Sequence, residues 1–245
     1  MPEHQNIPWK RLTVEAAAIV LSILLAFSID AWWEDRNEVE LEQRLLTALL
    51  AEFVQNGELL RQARRQYEQR YMESLRILEY LQEGASSFDH AELEKLFRGL
   101  FVAETFHLES GAHDGLLGSG ELSLVRDEEL RNRLAAWPSY VKEWSEEQEA
   151  VFSYALTELR TYLSDSVRIR DIAGSFAPFP DGEAPPLVPA GVGDAASVIN
   201  FSNSVEFDNL VYQRAQGLWY AMRDGETLLV QATAIAELIQ QNLEK

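Results

Sequence analysis

The sequence predicts an all-α protein, with an N-terminal transmembrane helix continuing into an antiparallel helical bundle of long, coiled-coil-like helices. Three observations predict it. Residues 12–33, LTVEAAAIVLSILLAFSIDAWW, form one apolar run framed by charges. Apolar residues then recur at helical spacing over long stretches of the remaining chain. No stretch of useful length alternates with period two, so strands are not expected.

At about 1.5 Å per helical residue the apolar run reaches roughly 33 Å, enough to cross a hydrocarbon core of about 30 Å. Its flanks orient it. Residues 1–11, the expected cytoplasmic stub, carry Lys10 and Arg11 against Glu3. On the far side stand Glu34, Asp35, Glu38, Glu40 and Glu42 against Arg36 and Arg44. Positive residues stay cytoplasmic, so the N-terminus is expected inside and the body, residues 34–245, in the periplasm at a bacterial inner membrane. Trp9, Trp32 and Trp33 suit the interfacial aromatic belt. A cleaved signal peptide is the rival reading. It fits poorly, because Ser28, Ile29 and Asp30 precede Ala31 and Trp32, and the run exceeds the usual signal core.

Within the span, Glu15, Ala18, Ser22, Ala26 and Asp30 share an arc of about 120° at 100° per residue. Val20, Leu21, Leu24 and Phe27 occupy the opposite face, while Ile19 and Ile29 intrude on the arc. Small residues at four-residue spacing let a second helix approach closely, and acids in lipid face protein or water. This arc is therefore the expected helix-pairing face, toward a second copy or another membrane protein. The plainer alternative is that Glu15 and Asp30, near the ends, reach to water. A proton-carrying, stator-like role for either acid is disfavoured: neither lies at the midplane, and no peptidoglycan-binding signature follows.

The first body helix is expected to run without a break from Glu34 to Glu83. Leu46, Leu49, Phe53, Leu60, Tyr67, Tyr71, Leu75 and Leu78 form its apolar stripe, with gaps at Gly57 and Arg64. GASSFD, residues 84–89, is a stop followed by cap candidates Ser87 and Asp89. A short helix over about 89–102 carries Leu93, Leu96, Phe97 and Leu100. Residues 108–125 are Gly-rich and predict a loop with one short turn of helix. The cleanest repeat follows: Leu130, Leu134, Trp137, Val141, Trp144, Gln148, Val151, Ala155, Leu159 and Tyr162. Pro138 lies within it and cannot donate to the carbonyl of Leu134, which predicts a kink. Residues 171–200 hold five prolines and four glycines, so a connector is expected there. The last helix, about 204–243 with Ser204 as N-cap, repeats the seam from Phe207 to Leu243.

The formal net charge of −19 argues against nucleic acid as a partner and against docking on anionic lipid beyond the anchor. The absence of cysteine removes disulfides, thiol catalysis and thiolate metal sites. Glu104, His107, Glu109, His113 and Asp114 are the one cluster of metal-ligand types. Its two histidines are six apart across a glycine, which suits a solvated acidic loop better than a zinc site. GLLGSGE, residues 115–121, lacks the preceding strand and following Lys of a phosphate loop. Ser197, Ser202 and Ser204 have no base at hand, and capping is the expected role. Arg126, Glu128, Glu129, Arg131 and Arg133 read as a solvated helix opening. Trp137, Trp144 and Trp219 could line a ligand pocket, against the commoner reading of core packing. No catalytic, cofactor or metal residues are expected, and no enzyme.

Three stretches carry a likeness: VEAAAIVLSILLAFSIDAWWEDRNEVELEQRLLTALLAEFVQN, LLGSGELSLVRDEELRNRLAAW and VEFDNLVYQRAQG. With them the chain resembles a family of uncharacterised bacterial single-pass membrane proteins, classed as a domain of unknown function. The resemblance implies a membrane-anchored helical protein and supplies no catalytic residues. The expected function is a scaffold or accessory protein working through protein contacts. The alternative is an extracytoplasmic ligand-binding or sensor module, which would need a partner because eleven residues inside the cell cannot signal alone.

Overall fold

The first helix, α1, runs without interruption from Trp9 to Glu83, 75 residues or about 112 Å of rod. The computed structural model describes residues 9–83, 90–100, 103–166 and 204–244, which are mostly helical, with no strand among them. The expected cap residues Ser87 and Asp89 and the 171–200 connector lie outside the described residues.

From Leu46 onward α1 buries a seam spaced alternately three and four: Leu46, Leu49, Phe53, Asn56, Leu60, Ala63, Tyr67, then Ser74 and Ile77. The expected stripe drifts off this seam after Tyr67. Leu75 is 37% exposed, and Tyr71 and Leu78 are only half-buried. The seam is harder to see in the sequence because polar residues hold three of its positions: Asn56, Arg70 and Ser74.

After α2 (His90–Gly99), an irregular strap over 103–110 leads into α3 (Gly111–Ser119) and a 3-10 turn (Glu121–Leu124). There is more helix here than the glycine content suggests. The Glu52 carboxylate accepts from the backbone N–H of Ala112 (2.6 Å) and His113 (3.2 Å), capping the start of α3. Gly120, at φ 77°, ends it in the left-handed conformation that favours glycine.

α4 (Glu128–Tyr154) opens on Asp127, whose side chain accepts from Leu130 N. It widens into a π-turn over Ala155–Leu159 and continues as α5 (Arg160–Ser166). The π-turn accommodates an extra residue and shifts the buried face, so Leu163 takes the core position expected of Tyr162. Tyr162 instead stacks on Phe207 and shares a hydrogen bond with Ser204 Oγ at 2.5 Å.

The last helix, α6 (Val205–Leu243), starts at Ser204, whose side chain accepts from Phe207 N as expected. It runs antiparallel to α1 and α4. Arg64 meets Glu226, and Trp144 Nε1 donates to Ala221 O. Gly225 permits the close α4–α6 approach, since a Cβ there would stand 3.0 Å from Trp144 Nε1. Asn242, at the far end of α6, donates to Asp127. α1 and α4 run parallel, with the strap and α3 packed between them. Leu134, Trp137, Phe53 and Leu228 belong to the larger core, and Ile77, Phe97, Leu163 and Phe207 to the smaller one. Each large side chain so buried contributes about 1.5–3 kcal/mol.

Two alanine substitutions separate the observed seam from the sequence-read one. Leu163→Ala should cost about 2–5 kcal/mol of unfolding free energy, and Leu75→Ala should stay within about 0.5 kcal/mol of wild type. Denaturant melts of the full chain would check both.

Candidate functional site

The side chains of α1 from Ala17 to Glu38 are all exposed, through the whole second half of the apolar run. This is the one helix among the described residues long and apolar enough to cross a membrane, and none of its apolar window is buried. Glu15, Ala18, Ser22, Ala26 and Asp30 all lie on this bare surface. Ser22 and Ser28 turn their hydroxyls back onto Ala18 O and Leu24 O, both at 2.8 Å, so neither leaves a donor hydrogen facing outward. At the run's end Trp32 and Trp33 pack at a tilt, and the Arg36 guanidinium sits 5.8 Å from a Trp32 ring. Arg126 then pins the start of α4 to this part of α1, bonding Asp35 at 2.6 Å while its backbone N–H reaches Glu42.

The polar cluster at 104–114 does not converge. No group of three or more metal-ligating side chains occurs among the described residues. His107, Glu109 and Asp114 face solvent. His113 is buried and does something the sequence did not reveal: its Nε2 lies 2.8 Å from the carbonyl of Leu134. That carbonyl is the one Pro138, lacking an N–H, leaves without its helical partner. A carbonyl only accepts, so Nε2 carries the hydrogen. The imidazole fills the gap that proline opens in α4.

Two amides hold the strap by its backbone. Asn56 donates to Glu109 O and accepts from Glu109 N, both at 2.8 Å. Gln148 accepts from Phe106 N at 2.8 Å, returns a longer bond to Phe106 O at 3.4 Å, and also accepts from Tyr67 OH at 2.9 Å. Phe106 meets the Tyr67 ring edge-on at 5.5 Å. Along the strap burial alternates: Phe106 and Leu108 turn inward, Thr105, His107 and Glu109 outward. The only sequence signal was a period-two pattern too short to read alone, together with Gln148 as a polar member of an apolar seam.

Above the strap, Arg70 bonds Glu73 at 2.8 Å and lies 3.6 Å from Glu104. Arg214, buried on α6, donates to Gly99 O at 3.2 Å. A side chain at Gly99 would strike Glu73, its Cβ standing 2.5 Å from Oε2. Burial, and then the Arg70 charge, lowers Arg214 to about 10 against the pull of Glu73, Tyr154 and Glu104. Tyr154 donates to Leu210 O; burial and then Glu158 push its phenol up to about 12, with Arg214 opposing. Burial and then Glu104 push Tyr67 up as well.

Trp137 and Trp144 are core side chains, 2% and 1% exposed, and Trp137 packs edge-on against Phe53. They join helices together. Arg126 and Arg133, expected on a solvated helix opening, make ion pairs to Asp35 and Glu129. No protein-family model matches the chain, and neither a curated protein nor a solved structure does.

His113→Leu should cost about 1–3 kcal/mol by stranding the Leu134 carbonyl. The loss should shrink when Pro138→Ala restores a backbone donor; equal losses in both backgrounds would show that the imidazole does not serve that carbonyl. Tyr154 acts against stability at high pH, opposite in sign to Arg214: unfolded tyrosine ionises near pH 10, whereas folded Tyr154 keeps its proton to about 12. Its contribution to stability is therefore whole below pH 10 and fades as pH climbs toward 12. Tyr154→Phe should flatten the stability loss between pH 10 and 12, measured by denaturant melts across that range.

Proposed function

We propose that this chain is a membrane-anchored helical scaffold or accessory protein that acts through protein contacts. The contrast along α1 carries the reading. Ile19, Leu21, Leu25 and Phe27 are more than 60% exposed, whereas Leu46, Leu49 and Phe53 on the same helix are sealed in the bundle. An apolar surface of that extent calls for lipid or a partner. In this reading residues 12–33 span a bacterial inner membrane, the N-terminus is cytoplasmic and the body is periplasmic.

The face Glu15, Ala18, Ser22, Ala26 and Asp30 then meets a second copy or another membrane protein. At 100° per residue it lies roughly opposite the side of α1 that Leu46, Leu49 and Phe53 give to the bundle. A partner can therefore approach the span without displacing the body. The resemblance to single-pass bacterial proteins points the same way.

Replacing Ala18, Ser22 and Ala26 together by Leu should abolish cross-linking between spans and co-purification of the partner in mild detergent, leaving membrane insertion intact. Undiminished association would reject the pairing face. A phosphatase that becomes active only outside the cytoplasm should be active when fused after Lys245; an inactive fusion, or an intact chain recovered in the soluble fraction, would reject this topology.

A further inference from the structure

A cleft of about 610 Å³ opens between α4 and α6, within the range of small-molecule sites. Its floor is the meeting of Val151 and Gly217. Gly217 lets α4 and α6 close against each other there, since a Cβ at 217 would stand 3.2 Å from Val151 Cγ2. Three phenol rings, Tyr154, Tyr212 and Tyr220, line it, and Glu147 adds a carboxylate. The Tyr154 hydroxyl is spent on Leu210 O. Tyr212 and Tyr220 stand 57% and 42% exposed, two large rings on one helix face beside a cavity.

Of the two charged residues that line the cleft, Glu147 is the accessible one. Burial, and then Asp224, Glu143 and Glu146, push the Glu147 carboxyl above its ordinary range. Lys142 pairs with Glu146 at 3.6 Å, and Glu147 is the carboxylate that lines the cleft itself. Arg214 also borders the cleft but is 2% exposed. Its guanidinium donates to Gly99 O, and Glu73 and Glu104 offset its charge. The chain as a whole carries −19, which draws cations toward such a site. The faces of phenol rings are negative and attract a cation lying over them.

We propose that this cleft binds a small organic cation, an amine or quaternary ammonium carried on an aromatic or alkyl body. The body rests on the Val151–Gly217 floor between the phenol rings, and the charged end turns to Glu147. The inference is independent of the membrane reading, because it uses α4 and α6 alone.

Three probes of one shape and different charge test it: 4-fluorobenzylammonium, 4-fluorobenzyl alcohol and 4-fluorobenzoate. Each is titrated against the full chain in detergent micelles and followed by fluorine NMR, with empty micelles as the reference. The ammonium should bind saturably and about fivefold tighter than the alcohol, a factor that a ring face and a rim carboxylate together can supply. The benzoate should bind weakest. Glu147→Gln should bring the ammonium to the alcohol's affinity. Ala150→Trp, at an exposed position of the cleft wall, should remove saturable binding while thermal melting stays unchanged. The proposal is overturned if the ammonium binds no tighter than the alcohol, if the benzoate binds tightest, or if Ala150→Trp leaves binding intact.

Discussion

A single unbroken helix is bare over its first part and packed over its second, and the rest of the molecule is arranged around that constraint. α1 has no proline and no break from Trp9 to Glu83. Its first part is apolar on nearly every side, and its second part is apolar along one seam only. The bundle assembles where the seam begins, at Leu46, and Arg126 ties the start of α4 just below that point. Because the backbone hydrogen-bond ladder is continuous, the azimuth of the apolar run relative to the bundle is fixed by α1 alone. No hinge separates them.

Polar residues in the seams do specific work. Asn56 and Gln148 each occupy a position where a hydrophobic residue would preserve the repeat, and each takes the donor and acceptor of one strap residue. His113 supplies the donor that Pro138 lacks. Arg70 and Arg214 sit where α2 and the end of the strap close over the bundle, with Glu73 and Glu104 answering their charge. A buried polar group is costly when left unpaired, so these contacts bind the pieces into one arrangement and disfavour slipped ones.

The all-α class, the continuity of α1, most of the α4 seam, the start of the α6 seam and the Ser204 cap were legible because apolar periodicity and capping are local signals. Further along α6 the core takes Ala221, Leu228 and Ile235, and the expected Met222, Leu229 and Ala236 are only half-buried. What was not legible came from contacts distant in sequence. Glu52 caps α3 from sixty residues away, turning an expected loop into helix. Leu163 replaces Tyr162 because a π-turn intervenes, and nothing in the periodicity announces it. His113 belongs with Pro138 only once α3 packs on α4. Ala18, Ser22 and Ala26 were found at the surface, as their place in a bare apolar run requires.

Recognition of the strap by side-chain amides has a mutational consequence. Asn56 and Gln148 bond to peptide groups, which every residue except proline presents alike. A substitution at Thr105 or His107, both turned outward, therefore leaves these bonds intact, whereas loss of either distant amide unpairs the peptide groups it holds. The grip lies in the two distant side chains, and within the strap it is Phe106 and Leu108 that packing also constrains.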